Sequence, residues 1–279
     1  MRTNNLHHIC NLSPIIIFRT VEDYLLAISR MASCAYMSYV DIFAFCILST
    51  HFHIILRGDQ NGVDNFIKLY KTNLIRLHRA FYHHSLKLII SDTPIVGDEH
   101  AITALNYTLK NPIHHGITNT AFSYPYSSMG CYFQNEIMKG ERFPGERHIY
   151  KHKTPDELSS MDYRKLFCTH EVPNSFKIMN DQFLIPESFV AVNLVETIYS
   201  SARNFLFQMN KPLKEEEEAF DSKKGLLTGQ ISDLSACKIM DKYIAPKSYS
   251  DIRPEDKPEL WNYLKTKGIN YSQFQRMVR

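Results

Sequence analysis

The sequence lacks the features of membrane and secreted proteins. No apolar run is long enough to cross a lipid bilayer, and the N-terminal residues show no signal-peptide pattern. The six cysteines are scattered, and no two of them form a Cys-x-x-Cys pair. Such spacing is typical of reduced thiols in a cytosolic protein. We therefore expect a cytoplasmic protein that has no membrane partner.

The chain also lacks a strong net charge. Its 279 residues carry a formal charge of +3, with 44% hydrophobic and 22% charged residues. This composition is that of a soluble globular protein with one large domain or two of ordinary size. The whole-chain charge does not indicate a nucleic-acid binder. The distribution of residues is more informative, because ten of the thirteen histidines precede residue 120.

Acidic residues are absent from one stretch, residues 66–90. Apolar residues at helical spacing predict a helix over 65–83 that opens at Asp64. Four basic side chains lie largely off the apolar stripe: Lys68, Lys71, Arg76 and Arg79. A basic face is usually only solvated. Because no acid balances this one, the pattern favours contact with phosphates.

Residues 45–57 form an apolar, β-rich stretch that is bounded by turn formers. This composition predicts a buried central strand. Side chains alternate across a strand, so His51 and His53 should share one face and Phe52 should point to the other. Two adjacent imidazoles are half of a metal site. The alternative is a pair of buried histidines that neighbouring polar groups satisfy.

The first half of the chain predicts an α+β sandwich. Thr20 is a candidate N-cap, with Asp23 three residues later. Asn111 and Pro112 should end the third helix. The predicted strands cover 6–18 (with a break at 13–14), 40–46 and 86–90, and the strand at 40–46 continues or folds into the 45–57 strand. The predicted helices cover 20–35, 65–83 and 99–110. A loop is predicted over 91–98. This order predicts a ferredoxin-like or RRM-like fold with an antiparallel sheet.

The second half has a different character. Residues 134–185 mix charges and prolines, and we interpret them as a linker with small elements. Residues 186–279 predict a helical C-terminal domain with helices at 186–209, 234–244, 259–267 and from 270 onwards. The run of glutamates at 215–218 is typical of a solvated helix face, since adjacent carboxylates point all round a helix.

Tyr107 and Asn111 lie four residues apart on the predicted third helix and therefore share one face. Most tyrosines are packing residues, and an asparagine before proline commonly ends a helix. These two residues become informative only together with the histidine pair.

The motifs together resemble a known family. His51-Phe-His53 matches the histidine–hydrophobe–histidine (HUH) motif. Residues 107–116, with Tyr107, Asn111 and a following proline, resemble the tyrosine helix of single-tyrosine HUH transposases, and are most similar to the REP-associated tyrosine transposase branch. Tyr124-Pro-Tyr-Ser-Ser128 resembles the aromatic-Ser-Ser box of that branch. The resemblance covers about residues 6–133, which we interpret as a catalytic domain over 1–133.

The sequence departs from the family pattern in three places, and one of them is the loop at 91–98, which is hard to match to the family's loop before the tyrosine helix. Residues 48–50 replace the usual Met-Pro-Asn before the first histidine, and Leu109 stands where the family has a histidine. Both HUH histidines and the tyrosine are present. Residues 264–276 resemble the start of a helix-turn-helix, although no second helix follows before residue 279. A packed helical bundle and an accessory DNA contact both remain open for this end.

The resemblance implies a metal-dependent DNA nuclease and strand transferase. His51 and His53, with Asn111 as third ligand, would bind Mg²⁺ or Mn²⁺. Tyr107 would attack a phosphodiester and form a 5′-phosphotyrosine link. The substrate would be single-stranded DNA next to a hairpin, held by Lys68, Lys71, Arg76 and Arg79.

The resemblance also implies a bacterial, nucleoid-associated protein of the cytoplasm. Relatives build the site within one chain or across a homodimer, so the oligomeric state stays open. Two alternatives remain: a catalytically inactive relative that binds hairpin DNA, and a zinc protein of other function.

Overall fold

The structure is a computed structural model that describes residues 5–13, 15–83, 86–137, 152–179, 183–211 and 231–278. The run of glutamates at 215–218 lies outside the described residues. Within these ranges, no helix combines the length and the apolar character that crossing a membrane requires.

The fold is α+β, with an antiparallel sheet at its centre, as predicted. Among the described residues the sheet has four strands in the order β2-β3-β1-β4. Two helices, α1 and α2, connect them in the ferredoxin-like order β-α-β-β-α-β. The bounds are β1 Leu6–Leu12, α1 Val21–Met37, β2 Asp41–Ile47, β3 Phe52–Arg57, α2 Gln60–Tyr82, β4 Ile89–Ile95 and α3 Asp98–His114.

Successive side chains of β3 point to opposite faces of the sheet, and a different helix packs on each face. The Phe52 ring lies 5.2 Å from the ring of Tyr70 on α2. The His53 ring lies 5.1 Å from the ring of Tyr107 on α3. Helix α2 therefore packs on one face of the sheet and α3 on the other. This confirms that Phe52 and His53 point to opposite faces.

The start of α1 is confirmed, and the start of α2 is not. The Thr20 side chain accepts a hydrogen bond from the Asp23 backbone N–H at 3.2 Å, and Asp23 accepts one from the Thr20 N–H at 2.9 Å. Helix α2 begins at Gln60, so the prediction that Asp64 opens it was wrong. The Asp59 carboxylate caps α2 instead, because it accepts the Gly62 N–H at 2.7 Å.

Residues 45–57 are two strands joined by a turn and not one strand. The turn covers residues 48–51 and is closed by a hydrogen bond of 2.7 Å from the Leu48 N–H to the His51 carbonyl. His51 therefore ends the turn and His53 lies within β3. Continuous apolar composition hid the turn, since both strands are buried. We call residues 48–51 the HUH turn.

Two predicted boundaries near β4 and α3 were wrong. Strand β4 runs through Pro94 to Ile95, so the predicted loop over 91–98 was wrong for most of its length. Proline is tolerated there because β4 is an edge strand and pairs with β1 alone. Helix α3 continues through Pro112 to His114. Its last turn keeps its other hydrogen bonds, such as the His115 N–H to the Asn111 carbonyl at 3.1 Å.

The predicted helix over 186–209 is two helices. Helix α6, Val192–Tyr199, ends at Ser200, whose φ is 67°. Helix α7, Ala202–Asn210, starts after Ser201, whose hydroxyl accepts the Asn204 N–H at 3.2 Å. The apolar spacing continues across this break, so periodicity alone did not reveal it. Both helices pack into the same core as the sheet through Val195 and Phe205.

Small elements occupy the described part of the region between α3 and α6. They are α4 Gln134–Ile137, β5 His152–Lys153, α5 Ser160–Leu166, β6 Ile178–Met179 and β7 Phe183–Leu184. Strands β5, β6 and β7 form a small antiparallel sheet. Phe167 and Ile178 pack with Leu26 of α1, so this region lies against the domain that contains the four-stranded sheet, which we call the main domain.

Among the residues described after α7, three α-helices are present: α8 Asp233–Ile244, α9 Lys257–Thr266 and α10 Tyr271–Val278. They surround a separate small core that includes Ile16 of the N-terminal segment. The helical character of this end is confirmed. The division of the chain at residues 133 and 185 remains a prediction.

Candidate functional site

The HUH turn and β3 position the two predicted histidines on one face of the sheet. The His51 and His53 rings lie 5.2 Å apart and are nearly perpendicular, at 89°. The Thr50 hydroxyl and His51 Nδ1 are hydrogen-bonded at 2.9 Å, which orients the ring. Both histidines are buried.

Helix α3 brings Tyr107 to the same place. Its ring packs edge-on against His53, at 5.1 Å and 87°. Asn111 lies one turn further along the same face of α3 and is fully buried. The structure therefore brings His51, His53 and Tyr107 together between the sheet and α3, with Asn111 one helical turn from Tyr107.

Three further histidines belong to this site and were not predicted. His8 stacks on His53 at 5.1 Å, and His8 Nε2 lies 2.9 Å from His53 Nδ1. The His115 ring lies 4.9 Å from the His51 ring, and the His114 ring lies 5.9 Å from the Tyr107 ring.

We call this group the histidine–tyrosine cluster, which comprises His8, His51, His53, Tyr107, His114 and His115. The concentration of histidines before residue 120 was the signal for it. Their places in separate elements hid their proximity.

Burial keeps the imidazoles of His8 and His53 neutral. Burial is the main cause that lowers the pKa of His8 to about 4, and His100 contributes a smaller electrostatic effect. Burial, followed by the neighbouring imidazoles, holds the pKa of His53 well below its ordinary value. A neutral imidazole retains a lone pair on one ring nitrogen. These histidines are therefore in the form that binds metal ions at neutral pH.

Two buried groups fit a divalent cation as ligands. The His53 Nε2 atom and both polar atoms of the Asn111 amide have no hydrogen-bond partner among the described residues. Buried polar atoms are costly unless they are engaged, and imidazole nitrogen and amide oxygen both coordinate such ions. Within the described ranges, no group of three or more His, Cys, Asp or Glu side chains is placed to hold a metal.

A cleft adjoins the cluster. Its volume is about 300 Å³, and its lining includes Ser49 of the HUH turn, Gly116 and Ile117 after α3, and the aromatic side chains of Tyr124 and Tyr126. Ser49 is two residues from His51, and Gly116 follows His115 directly. The cleft therefore lies beside the chain segments that carry His51 and His115.

The four basic side chains of α2 that the sequence indicated as phosphate contacts do not lie at the histidine–tyrosine cluster. Lys68, Arg76 and Arg79 are exposed and Lys71 is half-buried. None of the four forms an ion pair with any residue that the structure describes. Helix α2 packs on the Phe52 side of the sheet, opposite the histidine–tyrosine cluster. The structure therefore does not bring these residues to Tyr107.

The aromatic-Ser-Ser box braces the strand that leads into the HUH turn. The Tyr124 hydroxyl donates to the Ile47 carbonyl at 2.7 Å, and the Ser128 hydroxyl accepts the Phe45 N–H at 3.0 Å. These bonds satisfy backbone groups at the edge of β2. The box therefore has a structural role in this chain.

No protein-family model matches the chain, and no curated protein does. One solved structure that is similar is that of a REP-associated tyrosine transposase bound to a REP hairpin. The match has 14% identity and a TM-score of 0.37, and it covers 51% of this chain and 84% of the other.

Proposed function

We propose that this protein is a metal-dependent DNA nuclease and strand transferase that uses Tyr107 as its nucleophile. The observation that carries the proposal is the contact of the Tyr107 ring with the neutral imidazole of His53, next to His51. A phenol and two imidazoles on separate elements converge there. Their residue types are those that the HUH and tyrosine motifs require.

Each side chain has a defined task in this proposal. The Tyr107 oxygen attacks the phosphorus of a phosphodiester, forms a 5′-phosphotyrosine bond and releases the 3′-hydroxyl. His51, His53 and Asn111 would hold Mg²⁺ or Mn²⁺, which would supply positive charge beside the scissile phosphate. Thr50 orients His51 through its hydroxyl. The phosphotyrosine linkage conserves the free energy of the phosphodiester bond that was broken. The released 3′-hydroxyl can therefore attack the phosphotyrosine and reverse the step.

The substrate class is single-stranded DNA beside a hairpin. The cleft that Ser49, Gly116 and Tyr126 line is the proposed route by which a strand approaches the cluster. Tyr126 is half-buried and offers an aromatic face on which an unpaired base could stack. The basic face of α2 would contact phosphates of the DNA that lies away from the scissile bond.

The proposal is tested with a labelled hairpin oligonucleotide that carries single-stranded flanks. We expect the full-length protein with Mn²⁺ to form a covalent adduct that resists denaturing gel electrophoresis. Tyr107→Phe should abolish this adduct. Tyr70→Phe is the matched control, because Tyr70 is equally buried on the opposite face and its hydroxyl has no hydrogen-bond partner among the described residues. An adduct that persists in Tyr107→Phe would refute the assignment.

A catalytically inactive relative that binds hairpin DNA is the second candidate function. The burial of Tyr107, His53 and Asn111 favours it, since a phosphodiester has no direct access to fully buried atoms. Tight binding of the hairpin without an adduct, in the same experiment, would support this candidate. The zinc-protein alternative has no three-residue ligand set in the described part of the chain.

A further inference from the structure

Two cysteines from distant parts of the chain meet outside the histidine–tyrosine cluster. Cys34 lies in α1 and is fully buried, and Cys168 lies two residues after α5 and is half-buried. Their sulfur atoms are 3.6 Å apart, although 134 positions separate them in the sequence. The contact joins the region of the small sheet to the main domain. Both cysteines are free thiols.

The surroundings of the pair are polar and positively charged. The Arg30 guanidinium donates to Asn73 Oδ1 at 3.1 Å and to the Lys165 carbonyl at 3.3 Å. Asn73 in turn donates to the Cys34 sulfur at 3.7 Å. Arg30 forms no ion pair with a carboxylate within the described ranges, so its charge acts on the thiols.

The two thiols differ in acidity. The hydrogen bond from Cys34 lowers the pKa of Cys168 most, and the charge of Arg30 lowers it further. The same hydrogen bond and burial raise the pKa of Cys34. The more exposed sulfur therefore ionises first, while the buried sulfur keeps its proton and lies in contact with it. Reactive thiols have this combination of exposure and positive surroundings.

We propose that Cys34 and Cys168 are an oxidation site that hydroperoxides convert to a disulfide. The Cys168 thiolate attacks the O–O bond of hydrogen peroxide, which oxidises the sulfur to a sulfenic acid and releases hydroxide. Cys34 then attacks the Cys168 sulfur, its proton is transferred to the departing oxygen, and the S–S bond forms as water leaves.

The disulfide ties α1 to the segment that follows α5. It closes a loop of 134 positions and so restricts the unfolded chain strongly. Oxidation should therefore raise the melting temperature by roughly 5–10 °C. The site is independent of the DNA chemistry proposed above, since no residue of the histidine–tyrosine cluster takes part.

The test uses the full-length protein treated with hydrogen peroxide, followed by intact-mass measurement and peptide mapping without reductant. We expect the mass to fall by that of two hydrogens. Peptide mapping should show one pair of peptides linked through Cys34 and Cys168, and dithiothreitol should reverse both changes. Cys34→Ser should stop at a sulfenic acid on Cys168, which a cyclic diketone probe traps. Cys10→Ser is the matched control, because Cys10 is also half-buried and should leave the cross-link intact.

The alkylation rate of the unoxidised wild-type protein is a second measurement that needs no variant. Iodoacetamide at neutral pH should modify Cys168 faster than Cys10. Oxidation that links a different pair, or that ends in irreversible acids on Cys168 without a cross-link, would overturn the proposal. Equal alkylation of Cys168 and Cys10 would do the same.

Discussion

Ser49 and Asp233 are joined by a hydrogen bond of 2.7 Å across 184 positions of sequence. Ser49 lies in the HUH turn, and Asp233 is the first residue of α8. The Asp233 carboxylate also forms a buried ion pair with Arg276 at 3.1 Å and accepts a hydrogen bond from Gln273 at 2.9 Å. The C-terminal helices therefore hold the turn that positions His51.

Replacing Asp233 tests this relationship. Asp233→Ala leaves Arg276 buried without its carboxylate, and removing one partner of a buried pair costs about 3–5 kcal/mol. We expect a loss of this size in the free energy of unfolding, measured by urea denaturation. Arg253→Ala breaks only the surface ion pairs of Arg253 with Glu255 and Asp256 and should leave the midpoint unchanged. Equal stability of Asp233→Ala and wild type would show that the network contributes nothing.

The buried histidines predict a loss of stability in mild acid. The pKa of His8 falls from 6.5 to about 4 on folding, so below pH 6.5 the unfolded chain binds a proton that the folded chain rejects. The free energy of unfolding should therefore decrease as the pH falls from about 6.5 to about 4, by roughly 3 kcal/mol from His8 alone. His53 acts in the same direction.

Urea denaturation between pH 8 and pH 4 measures this dependence. His8→Gln should show a shallower slope than the wild type over this window. His170→Gln alters an exposed histidine and should retain the wild-type slope. A wild-type stability that stays constant down to pH 4 would contradict the prediction.

The metal ligands predict an effect of Mn²⁺ on stability. An ion that binds only the folded state raises the melting temperature with its concentration. We expect this increase for the wild type and its loss in His53→Ala and in Asn111→Ala. His170→Ala, at an exposed position, should retain it. If the double variant of His51 and His53 still responds to Mn²⁺, the ion binds elsewhere.

The position of α2 predicts that substitutions on this helix weaken DNA binding without preventing DNA cleavage. Changing Lys68, Lys71, Arg76 and Arg79 to alanine should weaken hairpin binding and make the affinity less dependent on salt. Because α2 lies on the face opposite Tyr107, adduct formation at saturating DNA should persist. Fluorescence anisotropy and the adduct assay measure the two effects. Alanine at Lys238 and Lys242, which are exposed on α8, is the matched control.

Local patterns predicted much of the fold. The Thr20 cap was readable because its partner Asp23 lies three residues away. The opposite directions of Phe52 and His53 follow from strand alternation alone. The break between α6 and α7 was not readable, since apolar spacing continues through Ser200 while its backbone is left-handed. Pro94 was assigned to a loop because only the strand order shows that β4 is an edge.

Alternation and helical periodicity act over a few residues, so the amino-acid pattern was enough to predict the strand of His53, the helix of Tyr107 and an antiparallel sheet. Three relationships are visible only in the folded chain: His8 stacks on His53, Ser49 donates a hydrogen bond to Asp233, and the basic face of α2 lies away from Tyr107. Strand order and helix packing set these relationships. They join residues far apart in the chain, and no local pattern contains that information.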